Sequence, residues 1–277
     1  MTTITRDDKK LKSNVKEYPN SLDRIVLYLE YDGSRYHGYQ MQDDTIPTIQ
    51  GALETALLKL TKLEHRVTSA SRTDRGVSAS RQIVSVPVLS SHIDIDTYLP
   101  GLNHYLPDDI VVNQVFLSPP NFHVRNSAIS RVYQYVILNR KTRPAIDRTR
   151  AAHISEKLDT ESMMVAIQCM TGWLDIRPFT GTLDNPENYL RRFDKVLLSR
   201  DNDAITIEIE ASGFVMHQIR RTVGAIVKVG LGEMSIGDFQ RLVLHGKPGQ
   251  AKSMMPSEGL CLIDVKYDDF PPKEERN

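Results

Sequence analysis

A single aspartate in the segment SRTDRGVSA (71–79) has the surroundings that carboxylate chemistry requires. Asp74 lies between Arg72 and Arg75, and Gly76 follows directly. On a loop, such a carboxylate could act as a nucleophile or a base if an arginine keeps it ionised. The same residues also fit a tight surface turn in which the aspartate hydrogen-bonds its own backbone. The segment alone leaves both interpretations open.

Two tyrosines follow at a spacing that suits nucleic-acid bases. Tyr133 and Tyr135 lie in SRVYQYVILN (130–139), which alternates like a strand, and Arg125 precedes them. Side chains two apart on a strand share a face. One of these rings could stack on an unpaired base, a contact that contributes about 1–3 kcal/mol. A pair of half-buried sheet tyrosines is the structural alternative.

An arginine within an apolar helical pattern is the third candidate. The segment FVMHQIRRTVGAIVKVGLG (214–232) has apolar residues at helical spacing, and Arg220 follows Ile219 on or beside that apolar stripe. Arginine is almost never fully buried without a partner. If Arg220 points inward, Asp74 would supply the carboxylate that it needs. Otherwise its side chain extends along the surface to reach water.

The charge of the chain limits the argument for a nucleic-acid partner. The formal net charge of the 277 residues is +0, so such binding has to rest on local basic clusters. Basic residues gather after the tyrosine strand and before a later strand, at Arg140, Lys141, Arg143, Arg148, Arg150, Arg191 and Arg192. These side chains suit phosphate contacts, although a solvated charged surface is the commoner outcome.

No metal, disulfide or membrane segment is predicted. Cys169 and Cys261 are far apart and belong to no CxxC pattern, which argues against a disulfide framework or a zinc site. Four histidines have no metal-ligand spacing, and none is predicted to be catalytic: His37, His104, His123 and His217. No apolar run approaches the roughly 20 residues of a membrane span, and residues 1–20 lack the apolar core of a secretory signal. A cytoplasmic protein is therefore predicted.

The elements that must position the candidate residues alternate between strands and helices. Strands are predicted at 24–33, 65–71, 81–88, 109–117, 130–139, 259–268 and on both sides of a turn within 191–213. Helices are predicted at 47–62, 94–106, 160–173, 214–232 and 235–246. This order indicates an α+β protein. We expect α+β domains at 23–118, which carries the Asp74 loop, and at 119–270, between a disordered arm (1–22) and a frayed tail (271–277).

Taken together, these stretches resemble the TruA family of tRNA pseudouridine synthases. Asp74 matches the catalytic aspartate of the family motif RTDxGVxA, Tyr133 matches its active-site tyrosine, and Arg220 matches its active-site arginine. Further family-like segments are EYDGSRYHGYQMQ (30–42), LNHYLPDDIVV (102–112), FHVRNSA (122–128) and EGLCL (258–262). The resemblance runs from Arg24 to Asp268, nearly the whole chain.

The chain departs from the family pattern near the aspartate and in one later segment. Ser71, Arg75 and Ser78 stand where the family usually has Gly, Ala and His, and LDIRPF (174–179) replaces the usual HDFxxF. These changes leave the aspartate intact. They bear on the choice of substrate, because they lie on loops that could contact RNA.

The resemblance implies a pseudouridine synthase-like fold, in which two ferredoxin-like α/β halves form a mainly antiparallel sheet with a central cleft. It implies that uridine is isomerised to pseudouridine in the anticodon stem-loop of tRNA, at positions 38, 39 and 40. It also implies a homodimer that needs no cofactor and no metal.

The resemblance also implies roles for individual residues. Asp74 would be the nucleophile, or would assist deprotonation of the ribose, and Arg220 would be its ion-pair partner. Tyr133 would stack on the base and help to remove the proton from C5. Arg72 would fill the space left by the flipped base. The remaining predicted RNA contacts are Arg125 and Arg131.

Two alternatives remain beside this reading. The loop departures leave room for a pseudouridine synthase that acts on other tRNA positions or on another RNA. A non-catalytic RNA-binding protein on the same scaffold is the second alternative, and the intact Asp74, Tyr133 and Arg220 argue against it. An ordinary metabolic enzyme has no support, because the sequence contains no phosphate-binding glycine loop and no metal-ligand set.

Overall fold

The structure is a computed structural model that describes residues 23–43, 45–88, 93–146, 149–180, 189–268 and 270–271. The predicted N-terminal arm and nearly all of the predicted tail lie outside these residues, so both stay predictions. Arg148 of the predicted basic cluster also lies outside them.

Ten strands and five α-helices occur within the described residues. The strands are β1 (Asp23–Tyr31), β2 (Thr68–Ser69), β3 (Ser78–Val88), β4 (Ile110–Leu117), β5 (Ser130–Asn139), β6 (Ala152–Ile154), β7 (Gly172–Asp175), β8 (Leu190–Asp201), β9 (Ala204–Ala211) and β10 (Leu260–Lys266). The helices are α1 (Ile49–Thr61), α2 (Tyr98–Tyr105), α3 (Thr160–Ile167), α4 (Gln218–Gly230) and α5 (Ile236–His245).

The described strands form one 10-stranded sheet with the order β4-β1-β3-β10-β5-β9-β8-β7, while β2 pairs with β3 and β6 pairs with β5. Neighbouring strands are antiparallel except at the β3–β10 and β5–β6 pairs. In the first half, strands β1 to β4 lie in the order fourth, first, third, second. In the second half, β5, β8, β9 and β10 repeat that order. The predicted fold class, a mainly antiparallel α+β sheet built from two similar halves, is confirmed.

The C-terminal strand lies between the two halves and thereby places the candidate site. In β10, Leu262 pairs in parallel with Ala79 of β3 and lies opposite Tyr133 of the antiparallel strand β5. β3 begins directly after the loop that carries Asp74. Because neighbouring strands are about 4.8 Å apart, the start of β3 and Tyr133 are separated by only two strand spacings. The pairing therefore brings the Asp74 loop close to Tyr133.

The helices bury the apolar faces that their spacing predicts. The hydroxyl of Thr48 accepts a hydrogen bond from the Gly51 N–H at 3.1 Å and fixes the start of α1, and Ser235 caps α5 in the same way. The buried apolar side chains of α1 are Ile49, Leu53, Ala56 and Leu57. In the described part of the chain, no helix combines the length and the apolar character needed to cross a membrane.

Two predicted helix boundaries are wrong. The helix predicted at 160–173 ends at Ile167, and Gly172, with a left-handed φ of +80°, opens β7 instead of closing the helix. The helix predicted at 214–232 begins only at Gln218, because the residue before it also has a left-handed φ. Apolar spacing therefore continues beyond both helices, and backbone conformation sets their ends.

Two short strands also differ from the predictions. The strand predicted at 65–71 is reduced to the two residues of β2, and β6 was not predicted. Both are too short to produce an alternating pattern in the sequence. Each is defined by its pairing with a long neighbouring strand, β3 or β5.

Truncating a buried side chain of β10, the strand that joins the halves, should destabilise the whole protein. Leu262 is 0% exposed, and Leu262→Ala should lower the free energy of unfolding by about 2–5 kcal/mol, because it leaves a cavity in the core. Urea denaturation followed by circular dichroism measures the loss. Leu197→Ala is the matched control, since Leu197 is 49% exposed on β8 and its truncation should cost less than about 0.5 kcal/mol. Equal effects of the two variants would contradict the position of β10 inside the sheet.

Candidate active site

Asp74 lies in a tight turn directly before β3. The backbone N–H of Val77 donates a hydrogen bond to the Asp74 carbonyl at 3.1 Å, and Gly76 has a left-handed φ of +77°. The backbone thus adopts the surface-turn conformation considered for this segment. The side chain is not an ordinary surface group, however, because it is only 18% exposed and faces an arginine. The turn and a chemical role are therefore compatible.

Buried polar side chains hold the loop from the side of the sheet. Gln82 of β3 is 0% exposed, donates to the Ser71 carbonyl at 2.8 Å and accepts from the Ser71 N–H at 3.3 Å. The hydroxyls of Tyr31 in β1 and Thr73 share a hydrogen bond of 2.9 Å. Buried hydrogen bonds are costly to leave unmade, so these contacts fix the loop in one position.

The family-like segment after β1 supports the loop from the other side. The N–H of Tyr39 donates to the Thr73 carbonyl at 3.0 Å, and the N–H of Gly76 donates to the Tyr36 carbonyl at 3.2 Å. Gly38 has a φ of +98°, and a Cβ there would lie 2.9 Å from the Thr73 carbonyl oxygen. Only glycine allows this close approach without strain. The segment therefore acts as a support for the Asp74 loop.

Arg220 turns inward from the first turn of α4 and meets Asp74. Its Nη1 lies 3.8 Å from Asp74 Oδ2, and its side chain is 13% exposed. Its Nε donates to the Met255 carbonyl at 2.8 Å, and the Met255 N–H donates to the Arg220 carbonyl at 3.1 Å. A guanidinium that is fixed and shielded in this way attracts a carboxylate more strongly than an exposed one does. The structure thus brings together two of the predicted site residues from opposite halves of the chain.

A histidine that sequence reasoning set aside lies beside the same carboxylate. His217 Nε2 is 3.9 Å from Asp74 Oδ2, and His217 has a left-handed φ of +62°, which is uncommon for a residue other than glycine. Its spacing of three residues from Arg220 is the sequence signal that could have identified it, because such residues share one side of a helical turn. Within the described residues, the Asp74 carboxylate accepts no hydrogen bond, and both cationic groups lie beside Oδ2.

Tyr133 lies under the loop with its hydroxyl 2.9 Å from the Ser71 hydroxyl. Its ring is 4% exposed and packs edge-on against Phe214, with 5.2 Å between ring centroids. Burial raises the pKa of Tyr133 to about 12; the hydrogen bond to Ser71 moderates the rise, and the charge of Asp74 adds to it. Tyr135, the other predicted tyrosine, is 1% exposed and belongs to the core.

Arg72 and Arg125 lie together at the other side of the Asp74 loop. Arg72 is exposed, whereas Arg125 is half-buried and donates to the Ser69 carbonyl at 3.4 Å. Burial lowers the pKa of Arg125, and the positive charge of Arg72 lowers it further. The two guanidinium groups are therefore close enough to repel each other.

Arg131 is a buried positioning residue in this structure. It is 8% exposed, and its guanidinium donates to four backbone carbonyls at 2.7 to 3.3 Å, those of Ala70, Arg125, Ala128 and Ser212. The direct RNA contact predicted for Arg131 stays a prediction; in this position its Nη donors are already bonded inside the protein. It instead ties the segment before Asp74 to the segment that carries Arg125.

The cysteines and the metal-binding residue types form no site in the described ranges. Cys169 and Cys261 are free thiols. Among the described residues, no three His, Cys, Asp or Glu side chains come together where they could hold a metal ion. The expectation that no cofactor is needed stays a prediction.

Comparison with known proteins assigns the family. A sequence model described as "tRNA pseudouridine synthase" matches residues 166–268. Proteins named tRNA pseudouridine synthase A from Acetivibrio thermocellus and Caldicellulosiruptor bescii are 34% and 35% identical to this chain, each over 88% of this chain and 99% of its own length. The protein of the same name from Legionella pneumophila (strain Lens) is 35% identical over 91% of this chain and 94% of its own length.

A chain from a solved Cbf5-Nop10-Gar1 complex aligns with 91% of this chain and 55% of its own length, at a TM-score of 0.38 and 9% identity, a similarity too low to support any inference. The full-length relatives decide the assignment, because they cover both halves of the sheet and the segments that carry Asp74, Tyr133 and Arg220. This chain belongs to the tRNA pseudouridine synthase A family, the TruA family that its motifs resemble.

Proposed function

We propose that this protein isomerises uridine to pseudouridine in tRNA, with Asp74 as the catalytic carboxylate. The observation that carries the proposal is the distance of 3.8 Å between Asp74 Oδ2 and Arg220 Nη1 in a site largely shielded from water. The names of the full-length relatives support the same activity.

The reaction rearranges one nucleotide without gain or loss of atoms. The bond between C1′ of the ribose and N1 of the base breaks, the base turns over, and a bond forms between C1′ and C5. The proton on C5 leaves, and N1 ends with a proton. A side chain can reach this nucleotide only after the base has left its stack.

Asp74 acts on the ribose, either as a nucleophile or as a base that assists deprotonation. Both routes need the ionised carboxylate, and an opposite charge a few ångströms away favours that form. Arg220 supplies the charge, and its bond to the Met255 carbonyl holds it in place. His217 adds a second positive charge beside the same oxygen whenever its ring is protonated.

Tyr133 acts on the base of the target nucleotide. Because its pKa is about 12, its hydroxyl stays protonated near neutral pH. Forming the phenolate would cost about 1.4 kcal/mol for each pH unit below that value, which favours a proton relay over a free phenolate base. The bond to Ser71 orients the hydroxyl. Stacking of the base on this ring, as the resemblance implies, requires Phe214 or the loop to move aside, since the ring is 4% exposed.

The proposed substrate is the anticodon stem-loop of tRNA in the cytoplasm, with uridines at positions 38, 39 and 40 as targets. The RNA lies in the cleft between the halves 23–118 and 119–270. The proposed assembly is a homodimer. Exposed apolar side chains on β7 and β8 suit such an interface: Trp173 and Leu190 are 66% and 58% exposed, and the strand pairing places them on one face of the sheet.

Removing the carboxylate tests the function. Asp74→Asn should lower pseudouridine formation on unmodified tRNA transcripts by about 10³-fold or more, because no other group can replace a nucleophile or base at that point. Pseudouridine mapping along the transcript measures both the amount and the position. Binding of tRNA should change little, since the shape of the loop is kept.

Asp203→Asn is the matched control, because Asp203 lies in the turn between β8 and β9, with a side chain that is 54% exposed and paired with Arg140. It should keep wild-type activity. Full activity of Asp74→Asn would contradict the proposal. Wild-type activity outside the anticodon arm would overturn the target alone.

Replacing the arginine tests the ion pair. Arg220→Gln should lower the single-turnover rate by about 10²–10³-fold with little change in tRNA affinity, because it removes preorganised positive charge at the carboxylate. Arg220→Lys keeps a charge but loses the Nε–H that donates to the Met255 carbonyl, so its rate should fall between those of the wild type and Arg220→Gln. Equal rates for Arg220→Gln and Arg220→Lys would show that the charge is not what matters.

A further inference from the structure

A small cavity opens beside the Asp74 loop and is lined by three arginines. It has a volume of 260 Å³, and Arg66, Arg72 and Arg125 belong to its walls together with Tyr39 and Ser69. We refer to it as the three-arginine pocket. Three guanidinium groups around one cavity repel each other, so the cavity favours a negatively charged occupant.

The protein neutralises only one of the three charges. Arg66 Nη1 lies 3.1 Å from Glu54 Oε2. The other oxygen of Glu54 already accepts hydrogen bonds from the Val67 N–H and the Gln50 amide. Within the described ranges, neither Arg72 nor Arg125 has a carboxylate within 4.0 Å. Two positive charges therefore face the cavity without a partner.

The pocket is fixed relative to Asp74. Arg72 stands two residues before Asp74 on the same loop, which is at most about 7 Å of chain. On the opposite wall, the carbonyl of Arg125 accepts a hydrogen bond of 2.7 Å from Arg131, which also donates to the Ala70 carbonyl at 3.1 Å. Arg131 thus holds both walls together. An anion in this pocket would belong to the target nucleotide or to one of its neighbours.

Tyr39 belongs to the wall of the pocket, but its hydroxyl is buried. The residue is 2% exposed, and the hydroxyl has no hydrogen-bond partner among the described residues. Burial raises the pKa of Tyr39, while the nearby Ser69 hydroxyl and the charge of Arg125 moderate the rise. Because this hydroxyl has almost no accessible surface, the preference of the pocket for an anion rests on its arginines.

The charge of the cavity determines the kind of occupant. A volume of 260 Å³ accepts a phosphodiester, and the two guanidinium groups without a carboxylate favour an anion over an uncharged base. Arginine forks match phosphate oxygens in geometry and in charge. We propose that the three-arginine pocket binds one phosphodiester of the RNA chain at or next to the target nucleotide, which holds the backbone while the base is turned out. The proposal rests on the function proposed above.

Neutral linkages introduced one at a time into an RNA stem-loop test the proposal. The stem-loop carries the target uridine, and each phosphate near it is replaced in turn by a methylphosphonate. Binding is measured by filter retention, which does not depend on turnover. With the wild-type protein, one linkage should lower affinity by about tenfold or more, as expected for the loss of charge-assisted hydrogen bonds.

Arg125→Gln tests whether the sensitive phosphate contacts Arg125. In this variant, the same methylphosphonate should lower affinity by less than about threefold, because the interaction is already gone. The variant should also reduce the slope of log affinity against log salt concentration by about 0.7–0.9, the value for one phosphate contact. Thermal unfolding establishes that Arg125→Gln is folded. If Arg125→Gln does not fold, Arg66→Gln, at an exposed position, takes its place. It should give the same pattern with a smaller effect.

Arg241→Gln is the matched control for Arg66→Gln. The two side chains are 71% and 72% exposed, each pairs with a carboxylate, and Arg241 lies on α5 outside the three-arginine pocket. Arg241→Gln should change neither the linkage profile nor the salt slope.

The proposal would be overturned if every methylphosphonate lowered the affinity of both pocket variants by the same factor as that of the wild type. Competition by inorganic phosphate without any linkage effect would also overturn it, since the pocket would then hold a free anion. If the wild type formed no pseudouridine, the proposed function would be overturned. A linkage whose effect on affinity depends on Arg125 would still establish the phosphate site.

Discussion

The carboxylate of Asp74 lies in a site with little access to water, and the cation held against it comes from the other half of the chain. Arg220 reaches Asp74 because Met255 bonds both the backbone and the side chain of that arginine. The chain then runs on into β10, which lies between β3 and β5. The ion pair and the junction of the two halves of the sheet at β10 therefore depend on the same segment of the chain. Displacing β10 would separate the carboxylate from its arginine.

The arginines of the site divide by what the protein asks of them. Arg131 is buried, Arg220 is half-buried, and both are bonded to backbone carbonyls that order the protein around the cleft. Arg72 and Arg125 keep donors and charge that the protein itself does not use. This division separates positioning from binding, and it places the free charge next to the loop that carries Asp74. Nucleic-acid binding by a chain with a net charge of +0 then rests on local rather than overall charge.

Much of the fold and part of the site could be predicted from the sequence, because they depend on local patterns. Apolar alternation and helical spacing located the long strands and helices, and the pairing of Arg220 with Asp74 followed if Arg220 pointed inward. The left-handed conformation of His217 was not visible in those patterns, and the helix end at Ile167 carries no glycine or proline, so both helix boundaries were missed. The burial of Arg131 was also missed, because it is decided by four carbonyls from distant segments.

The proposed catalysis depends most on Asp74 and Arg220 acting as a unit. A kinetic double-mutant cycle with Asp74→Glu and Arg220→Lys tests it directly, since both substitutions keep the charges and should leave a measurable rate. Single-turnover pseudouridine formation is measured for the wild type, both single variants and the double variant. If the two side chains act together, the coupling energy should be well above 0.5 kcal/mol, as expected of side chains in contact at a reacting centre. Effects that add within about 0.3–0.5 kcal/mol would contradict it, because independent residues behave in that way.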